Sequence, residues 1–459
     1  MTQGTLPQRM RRGGDRPVLE HVRRSLRLAI PVMLGRAGLI IMITVDSIMT
    51  GRAAAEELAY YAISLAPHMT LLVVGIGLMI GTVVLTAQSD GAGRRTEAAS
   101  IWVTSLGIAG GLGAVWCVVL LAGEHLLLWL GQSPPIAAGG AGPLVMFAWG
   151  MPAILMYIAT TFFLEGLSRP GPGMVVALSA NLVNAGLNWV FIYGHLGAPE
   201  MGAAGAALAT SITRYVMLAA LAWYAVRMLG HGRHGFHGPL RIRREIARRL
   251  LAIGAPLSIA AGLETACFAT VTAFAGHLGA VPLAGFQIPF NVITFVFMLA
   301  IGLSTSTSVR VANAVGRRDR PGMAAAGWTG LGLVVVLMFG LAAAISAFGP
   351  DIAGLYTADA AVLAIAAPAM SLAALITIVD GAQAVALGAL RGAGDVLIPT
   401  LSHAFSFWVV AVPTAYVLGV AGSTGVRGLL WGLFAGLTCA VVLLSWRFAV
   451  VSRRGVHPV

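Results

Sequence analysis

The chain has 459 residues, of which 58% are hydrophobic and only 10% are charged, and its mean hydropathy is +0.87. Because a soluble domain carries about 25% charged residues, this composition excludes a soluble globular protein and indicates a polytopic membrane protein. The formal net charge of +12 does not indicate nucleic-acid binding, since every basic residue other than histidine is an arginine and nearly all of them lie in the breaks between apolar runs.

Apolar runs long enough to span a bilayer recur along the chain. A helix of about 20 such residues crosses the hydrocarbon layer. Six runs precede the polar stretch from His231 to Arg249 and six follow it, which predicts about twelve membrane helices. The runs are residues 28–51, 58–87, 98–122, 141–164, 174–193, 202–228, 250–276, 283–311, 324–348, 361–390, 397–420 and 428–450.

A weak internal repeat relates the two sets of runs. Residues 29–31 align with residues 254–256, Gly77 with Gly302, and the pattern keeps its order through both halves. Each half has an even number of spans, so the halves lie parallel about an axis along the membrane normal, with any site between or within them. The sequence therefore predicts an all-α polytopic membrane protein whose transmembrane helices form two pseudo-symmetric six-helix bundles.

The arginines orient these helices, because basic residues accumulate in short cytoplasmic loops. Under strict alternation only Arg52 and Arg427 fall opposite the remaining arginine-rich loops. The predicted division is a cytoplasmic N-terminal tail (1–25), an N-terminal six-helix lobe (26–229), a cytoplasmic linker (230–249), a C-terminal six-helix lobe (250–452) and a cytoplasmic C-terminal tail (453–459).

Asp46 is a carboxylate in the first predicted span, which also contains Pro31. A charged side chain deep in hydrocarbon costs about 2.5 to 3.5 kcal/mol even on the mild insertion scale, so such residues usually face a cavity and serve ions or protons. Pro31 removes one backbone donor, which suits a helix that bends. The alternative is a hydrogen-bonded carboxylate that only fixes helix packing.

Polar side chains of the fifth and sixth spans are candidates for the surroundings of Asp46. Asn181, Asn184 and Asn188 share one helical face by their spacing of three and four, and Thr210 follows small residues that allow close helix approach. Beside Asp46 they offer oxygen ligands for Na+, or a hydrogen-bonding cage that tunes the carboxylate for protonation. Alternatively, the amides only hold helices together.

Two further acids lie inside predicted spans of the second half, whereas most of the 17 acids fall in loops or at helix ends. Glu264 is about 22 Å along its helix from Arg249, and Asp380 about 16 Å from Arg391, at 1.5 Å per residue. Intramembrane carboxylates are functional by default, although a structural role is the alternative for both. Arg36 either pairs with an acid or extends toward the membrane interface.

Short motifs run in order from Leu26 to Val450. They are PVMLGRAGLIIMITVDSIMTGR in the first span, GAGRRTEA after the second, NxxxN with FIYG in the fifth, GAALAT in the sixth, APLSIAAGLE in the seventh, LAGFQI in the eighth, SVRVANAVG at its end and RGAGDVLIP after the tenth. Together they resemble the multidrug and toxic compound extrusion (MATE) transporters, nearer the NorM-type than the DinF-type branch. The resemblance implies the MATE fold.

In the N-terminal lobe, the resemblance implies a cation-binding and coupling site with Na+ as a possible occupant. The residues that match the family's site are Asp46, Asn184, Asn188 and Thr210, and Pro31 matches its bending proline.

In the C-terminal lobe, the resemblance implies that Glu264 and Asp380 form an acidic pair and that Gln287 on the eighth helix lines the cavity. NorM-type proteins that place Na+ there tend to have a tyrosine one turn before the acid of the tenth helix, where this chain has Ile376. The two acids are therefore also candidates for carrying protons or for contacting a cationic substrate.

The expected function is antiport, in which inward flow of Na+ or H+ drives export of amphipathic, mostly cationic organic compounds by alternating access. We expect no cofactor, no nucleic-acid partner and no enzymatic activity, and a monomer in the bilayer of the bacterial cytoplasmic (inner) membrane. A flippase for a lipid-linked saccharide is the alternative, but it would need several cavity arginines for pyrophosphate, and only Arg36 and Arg214 are candidates.

Single cysteines at positions 199 and 235 test the predicted orientation. A membrane-impermeant thiol reagent applied to intact cells should label Pro199→Cys and miss Gly235→Cys, because only the first of these loops faces outward. The background should lack Cys117, Cys267 and Cys439. The opposite labelling pattern would overturn the orientation derived from the arginines.

Overall fold

The structure is a computed structural model that describes residues 16–230, 241–422 and 424–454. Residues 1–15 of the predicted N-terminal tail, residues 231–240 of the predicted linker and residues 455–459 of the predicted C-terminal tail lie outside the described residues.

Within the described ranges, twelve helices are long and apolar enough to cross a membrane, which confirms the predicted all-α architecture. A short helix, α4, lies between the third and fourth of them. The helices are α1 Arg16–Ala53, α2 Ala55–Gly91, α3 Arg95–Leu121, α4 Gly123–Trp129, α5 Pro134–Gly166, α6 Gly171–Tyr193, α7 Gly202–Gly230, α8 Arg244–His277, α9 Ala280–Gly316, α10 Arg320–Tyr356, α11 Ala360–Gly392, α12 Leu397–Ala421 and α13 Val426–Arg454.

Helix α1 is uninterrupted across Pro31. A proline inside a helix of a soluble protein costs about 3 kcal/mol, because it removes a hydrogen bond and its ring clashes with the preceding turn. Neighbouring helices and hydroxyl side chains satisfy the freed backbone groups in membrane helices. Pro31 is thus accommodated in a continuous helix here, and its role in bending stays a prediction.

The helices pack as two bundles. In the first bundle α5 contacts α2, α3 and α7, and in the second α11 contacts α9, α10 and α13. Both central helices are the fourth membrane span of their half, as the internal repeat predicts. Leu155 and Phe163 of α5 are fully buried, as are Val385 and Leu390 of α11. The repeat therefore places equivalent helices at the centre of each bundle.

The two bundles contact each other from the middle of the membrane to the face on which α1 and α8 begin and α2 and α9 end. We call that face the linker face. The Ser258 hydroxyl on α8 donates to the Val74 carbonyl on α2 at 2.8 Å. The Asn313 amide near the end of α9 donates to the Asp90 carboxylate at 3.1 Å. The structure is consequently closed on the linker face.

Glycines make this close approach possible. A Cβ added at Gly254 of α8 would lie 2.1 Å from the Leu78 carbonyl oxygen of α2, and one added at Gly91 would lie 2.1 Å from the Asn313 carbonyl oxygen of α9. Real Cβ atoms do not approach backbone oxygens so closely, so alanine at either position forces the bundles apart. Only glycine permits the observed contact.

Gly254→Ala should shift the protein away from the arrangement that is closed on the linker face. Overpacking of a tight contact costs about 1–3 kcal/mol, enough to change the ratio of two conformations at least several-fold. Spin labels at the exposed positions Thr96 and Arg318 should show longer distances across that face. The matched control is Gly262→Ala on the same helix, where an added Cβ meets nothing within 4 Å. Identical distance distributions for both variants would contradict the prediction.

Candidate functional site

The Asp46 carboxylate is fully buried in the first bundle and accepts hydrogen bonds from three other helices. Its Oδ1 accepts from Asn188 Nδ2 on α6 at 2.7 Å. Its Oδ2 accepts from Thr210 Oγ1 on α7 at 2.6 Å and from the Tyr61 hydroxyl on α2 at 3.2 Å. The structure thus brings Asp46, Asn188 and Thr210 together as the sequence grouped them, and it adds Tyr61.

Asn184 extends this network along α6. Its Nδ2 donates to Thr210 Oγ1 at 3.3 Å, and its Oδ1 accepts from Asn188 Nδ2 at 3.3 Å. Asn181, one turn earlier, instead donates to the Gly38 carbonyl on α1 at 3.0 Å. The shared helical face is therefore divided, with two amides at the carboxylate and one that joins α6 to α1.

The oxygen atoms of this network fit a small monovalent cation. Asn188 Oδ1 is buried and has no hydrogen-bond partner among the described residues, so the network retains an unused acceptor. Turning the amides and the hydroxyl would direct Asn184, Asn188 and Thr210 oxygens toward a cation at Asp46, and hard cations prefer such ligands. One carboxylate balances one positive charge, which suits either Na+ or a proton on the carboxylate itself.

The second bundle contains a pair of carboxylates that share one amide. Gln383 Nε2 donates to Glu264 Oε1 of α8 at 3.2 Å and to Asp380 Oδ1 of α11 at 3.4 Å. Asp380 is buried, whereas Glu264 is partly exposed. The predicted acidic pair is thus brought together in space through a third residue.

Gln287 of α9 is not part of the hydrogen-bonded group formed by Glu264, Gln383 and Asp380, and its side chain is exposed. Its predicted place on a cavity wall stays a prediction. Ile376, one turn before Asp380, is buried and supplies no polar group at the position where related proteins tend to carry tyrosine.

Sequence reasoning missed Tyr61 and Gln383. Gln383 follows Asp380 by three residues and so shares its helical face, a spacing that is visible in the sequence. Tyr61 has no comparable signal, because a tyrosine near the end of a membrane helix is common at the membrane interface.

Arg36 pairs with Glu165, which settles the alternative between pairing and extension. Arg36 NH2 of α1 lies 3.5 Å from Glu165 Oε1 of α5. Glu165 does lie at a helix end, as predicted, but only 3% of it is exposed. Glu165 is therefore the third buried acid among the described residues, after Asp46 and Asp380, and it ties α1 to the central helix of the first bundle.

Comparison with known proteins supports one family for the whole chain. A family model described as MatE matches residues 31–190 and again residues 256–417. The chain is 35% identical over 454 residues to a probable multidrug resistance protein NorM of Caulobacter vibrioides, which covers 98% of this chain and 95% of the relative. It is 30% identical over 434 residues to multidrug resistance protein MdtK of Yersinia enterocolitica, and this alignment covers 93% of this chain and 94% of the relative.

Solved structures share the fold. A mutant of the Vibrio cholerae MATE transporter VcmN matches with a TM-score of 0.86 at 17% identity, over 96% of this chain and 99% of that chain. The eukaryotic MATE transporter AtDTX14 matches with a TM-score of 0.84 at 17% identity, over 95% of this chain and 98% of that chain.

Thr210→Val tests whether the hydroxyl bound to Asp46 carries stability. Loss of a hydrogen bond to a charged group should lower the free energy of unfolding by about 1.5–3 kcal/mol, measured by thermal unfolding of the purified protein. Thr213→Val, one turn later, is the matched control, because the buried Thr213 hydroxyl donates only to the Ala209 carbonyl of its own helix at 2.8 Å. Equal losses in the two variants would show that the carboxylate gains nothing from Thr210.

Proposed function

Because the chain belongs to the MATE family of transporters, we propose that it is a multidrug exporter in which entry of Na+ or H+ drives the exit of amphipathic, mostly cationic organic compounds. Relatives of both the NorM and MdtK names are called multidrug resistance proteins, in agreement with the predicted NorM-type resemblance. The site residues, the coupling ion and the substrate class rest on the physical arguments below.

The observation that carries the proposal is the Asp46 network. A carboxylate that is fully buried and hydrogen-bonded only to neutral donors has no cation in contact with it, so part of the cost of burying its charge stays uncompensated. A bound cation removes that cost, so the site takes up Na+ or a proton when one is available. Asp46, Asn184, Asn188 and Thr210 are the proposed coupling residues.

Helix α1 connects this site to the contact between the bundles. The Ser25 carbonyl near its start accepts from the Ser306 hydroxyl on α9 at 2.9 Å, and Asp46 lies near its end. A ligand shifts a conformational equilibrium only through different affinities for the two states. Cation binding that rearranges the bonds of Asp46 to α2, α6 and α7 changes the position of α1 and thereby favours one state.

Glu264 and Asp380 are the proposed contacts for the cationic substrate, or carriers of protons that exchange with it. Two carboxylates that share the single amide of Gln383 form an acidic centre, and the partial exposure of Glu264 leaves it accessible. Gln287 is proposed to line the same cavity.

The proposed setting is the bacterial inner membrane, with a monomer whose termini and linker are cytoplasmic. The lobes are proposed at residues 26–229 and 250–452. The linker face is then the cytoplasmic face, so the closed contacts of Ser258 and Asn313 belong to the state from which substrate leaves outward. Neither a cofactor nor an enzymatic step is part of this cycle.

The flippase alternative is less well supported. A pyrophosphate site needs several free arginines, but Arg36 is paired with Glu165 and Arg214 is buried beside His68. The two candidate arginines therefore do not form one anion site.

Asp46→Asn should abolish coupled efflux while the protein folds and binds substrate, because the amide mimics the neutral state permanently. The measurement is drug efflux in inverted membrane vesicles under separate Na+ and pH gradients, with protein level quantified in the same membranes. Asp351→Asn, which removes an exposed carboxylate of α10, is the control and should transport normally.

Normal efflux with normal ion dependence in Asp46→Asn would show that this aspartate is only structural. Glu264→Gln in the same assay separates the two lobes: it should alter the range of exported compounds and retain dependence on the coupling ion.

A further inference from the structure

Arg214 is a second ionic group inside the first bundle, and only 5% of it is exposed. It follows Thr210 on α7 by four residues, so the two side chains share a helical face and are separated by about 6 Å along the helix axis. Thr210 bonds directly to Asp46. The backbone of Arg214 therefore lies one helical turn beyond a residue that bonds to Asp46.

The surroundings of Arg214 hold it in place without neutralising it. Its NH2 group lies 2.9 Å from His68 Nε2 on α2. Both groups also contact the Phe147 ring of α5, with the His68 ring stacked at 4.6 Å and the guanidinium carbon at 5.7 Å. Because an arginine only donates hydrogen bonds, His68 must accept through a neutral ring, and the positive charge stays on Arg214.

Within the described ranges, no carboxylate lies within ion-pair distance of Arg214, and its NH1 group has no hydrogen-bond partner there. The titratable groups that act on it are His68 and Tyr61 on α2 and Asp46 on α1. On α5, the neutral Phe147 ring contacts Arg214. On α6, the neutral amides of Asn184 and Asn188 lie beside Thr210, one turn before Arg214.

We propose that Arg214 is the fixed countercharge of Asp46 and sets how tightly the coupling site holds its cation. This inference rests on the proposed function of Asp46. An unpaired buried charge is expensive, and together the two residues make the lobe electrically neutral while the site is empty. When a cation binds at Asp46, the lobe acquires one positive charge, and the charge of Arg214 repels the bound cation. The site consequently releases its cation readily, as a transporter that turns over must.

Arg214→Gln removes this charge and should tighten cation binding. At a separation of about two helical turns and an effective dielectric constant of about 20, one unit charge changes affinity on the order of tenfold. The half-saturating concentration of Na+ or H+ for efflux should fall by that factor in proteoliposomes, with a lower maximal rate because release is slower. Arg214→Lys keeps the charge and should retain the wild-type half-saturation.

Arg227→Gln is the matched control on the same helix. Arg227 is exposed and lies over the Trp223 ring at 5.0 Å, so its removal should leave the half-saturating cation concentration unchanged. A purely structural role of Arg214 would lower the amount of folded protein and leave that concentration unchanged in the molecules that remain.

A second measurement needs no transport. Asp46→Asn, Arg214→Gln and the double variant form a cycle whose interaction energy reports the pairing of the two charges. If Arg214 is the countercharge, Asp46→Asn leaves it uncompensated, and the double variant should unfold at a higher temperature than the sum of the single losses predicts. This comparison stays informative when Arg214→Gln alone is poorly folded.

Suppose that Asp46→Asn abolishes coupling, that the stability losses of the two single variants add up in the double variant, and that Arg214→Gln leaves the half-saturating cation concentration unchanged. These results would overturn the inference about Arg214 and leave the proposed function of Asp46 intact. Normal coupling in Asp46→Asn would instead overturn the proposed function on which the inference rests. If Arg227→Gln lowered the half-saturating cation concentration as much as Arg214→Gln, a specific role of Arg214 would also be refuted.

Discussion

The hydrogen bonds to one buried carboxylate join four helices of the first bundle at the proposed coupling site. Asp46 on α1 accepts from Asn188 on α6, from Thr210 on α7 and from Tyr61 on α2, so four helices depend on the state of one side chain. In hydrocarbon such bonds have no water to replace them. Any change of charge at Asp46 therefore acts on four helices at once, and the proposed coupling of ion binding to a movement of the bundle rests on this contact.

A movement of α1 as proposed would reach the other bundle, because the two halves are in close contact on the linker face. Glycines at 91 and 254 bring helix backbones into direct contact, and hydroxyl and amide side chains such as Ser258 and Asn313 add bonds between them. Bonds of this kind break and reform as units, since close-packed surfaces are bistable rather than continuously deformable. The Arg36 pair with Glu165 makes α1 follow the central helix α5.

The sequence predicted the twelve spans, the repeat and most of the hydrogen-bonded network around Asp46, because an acid or an amide inside an apolar run is visible without knowledge of its neighbours. Asp46, Asn184, Asn188 and Thr210 are of this kind. Tyr61 was missed because its place beside Asp46 depends on how α1 and α2 pack. Glu165 was counted among the acids at helix ends, because the sequence does not show which helix ends are buried. Asn181 shares the face of Asn184 but lies one turn away from the carboxylate and bonds to α1 instead.

The two bundles share a backbone plan and differ in charge, and under the proposed function this difference gives them different tasks. In the first, Glu165 is paired with Arg36 and the proposed countercharge Arg214 offsets Asp46, so a compact site with one carboxylate suits one small ion. In the second, Glu264 and Asp380 share only the neutral amide of Gln383, so their combined charge favours an organic cation or protons. Two sites of unequal charge in parallel halves would allow the first site to bind the coupling ion while the second site binds substrate.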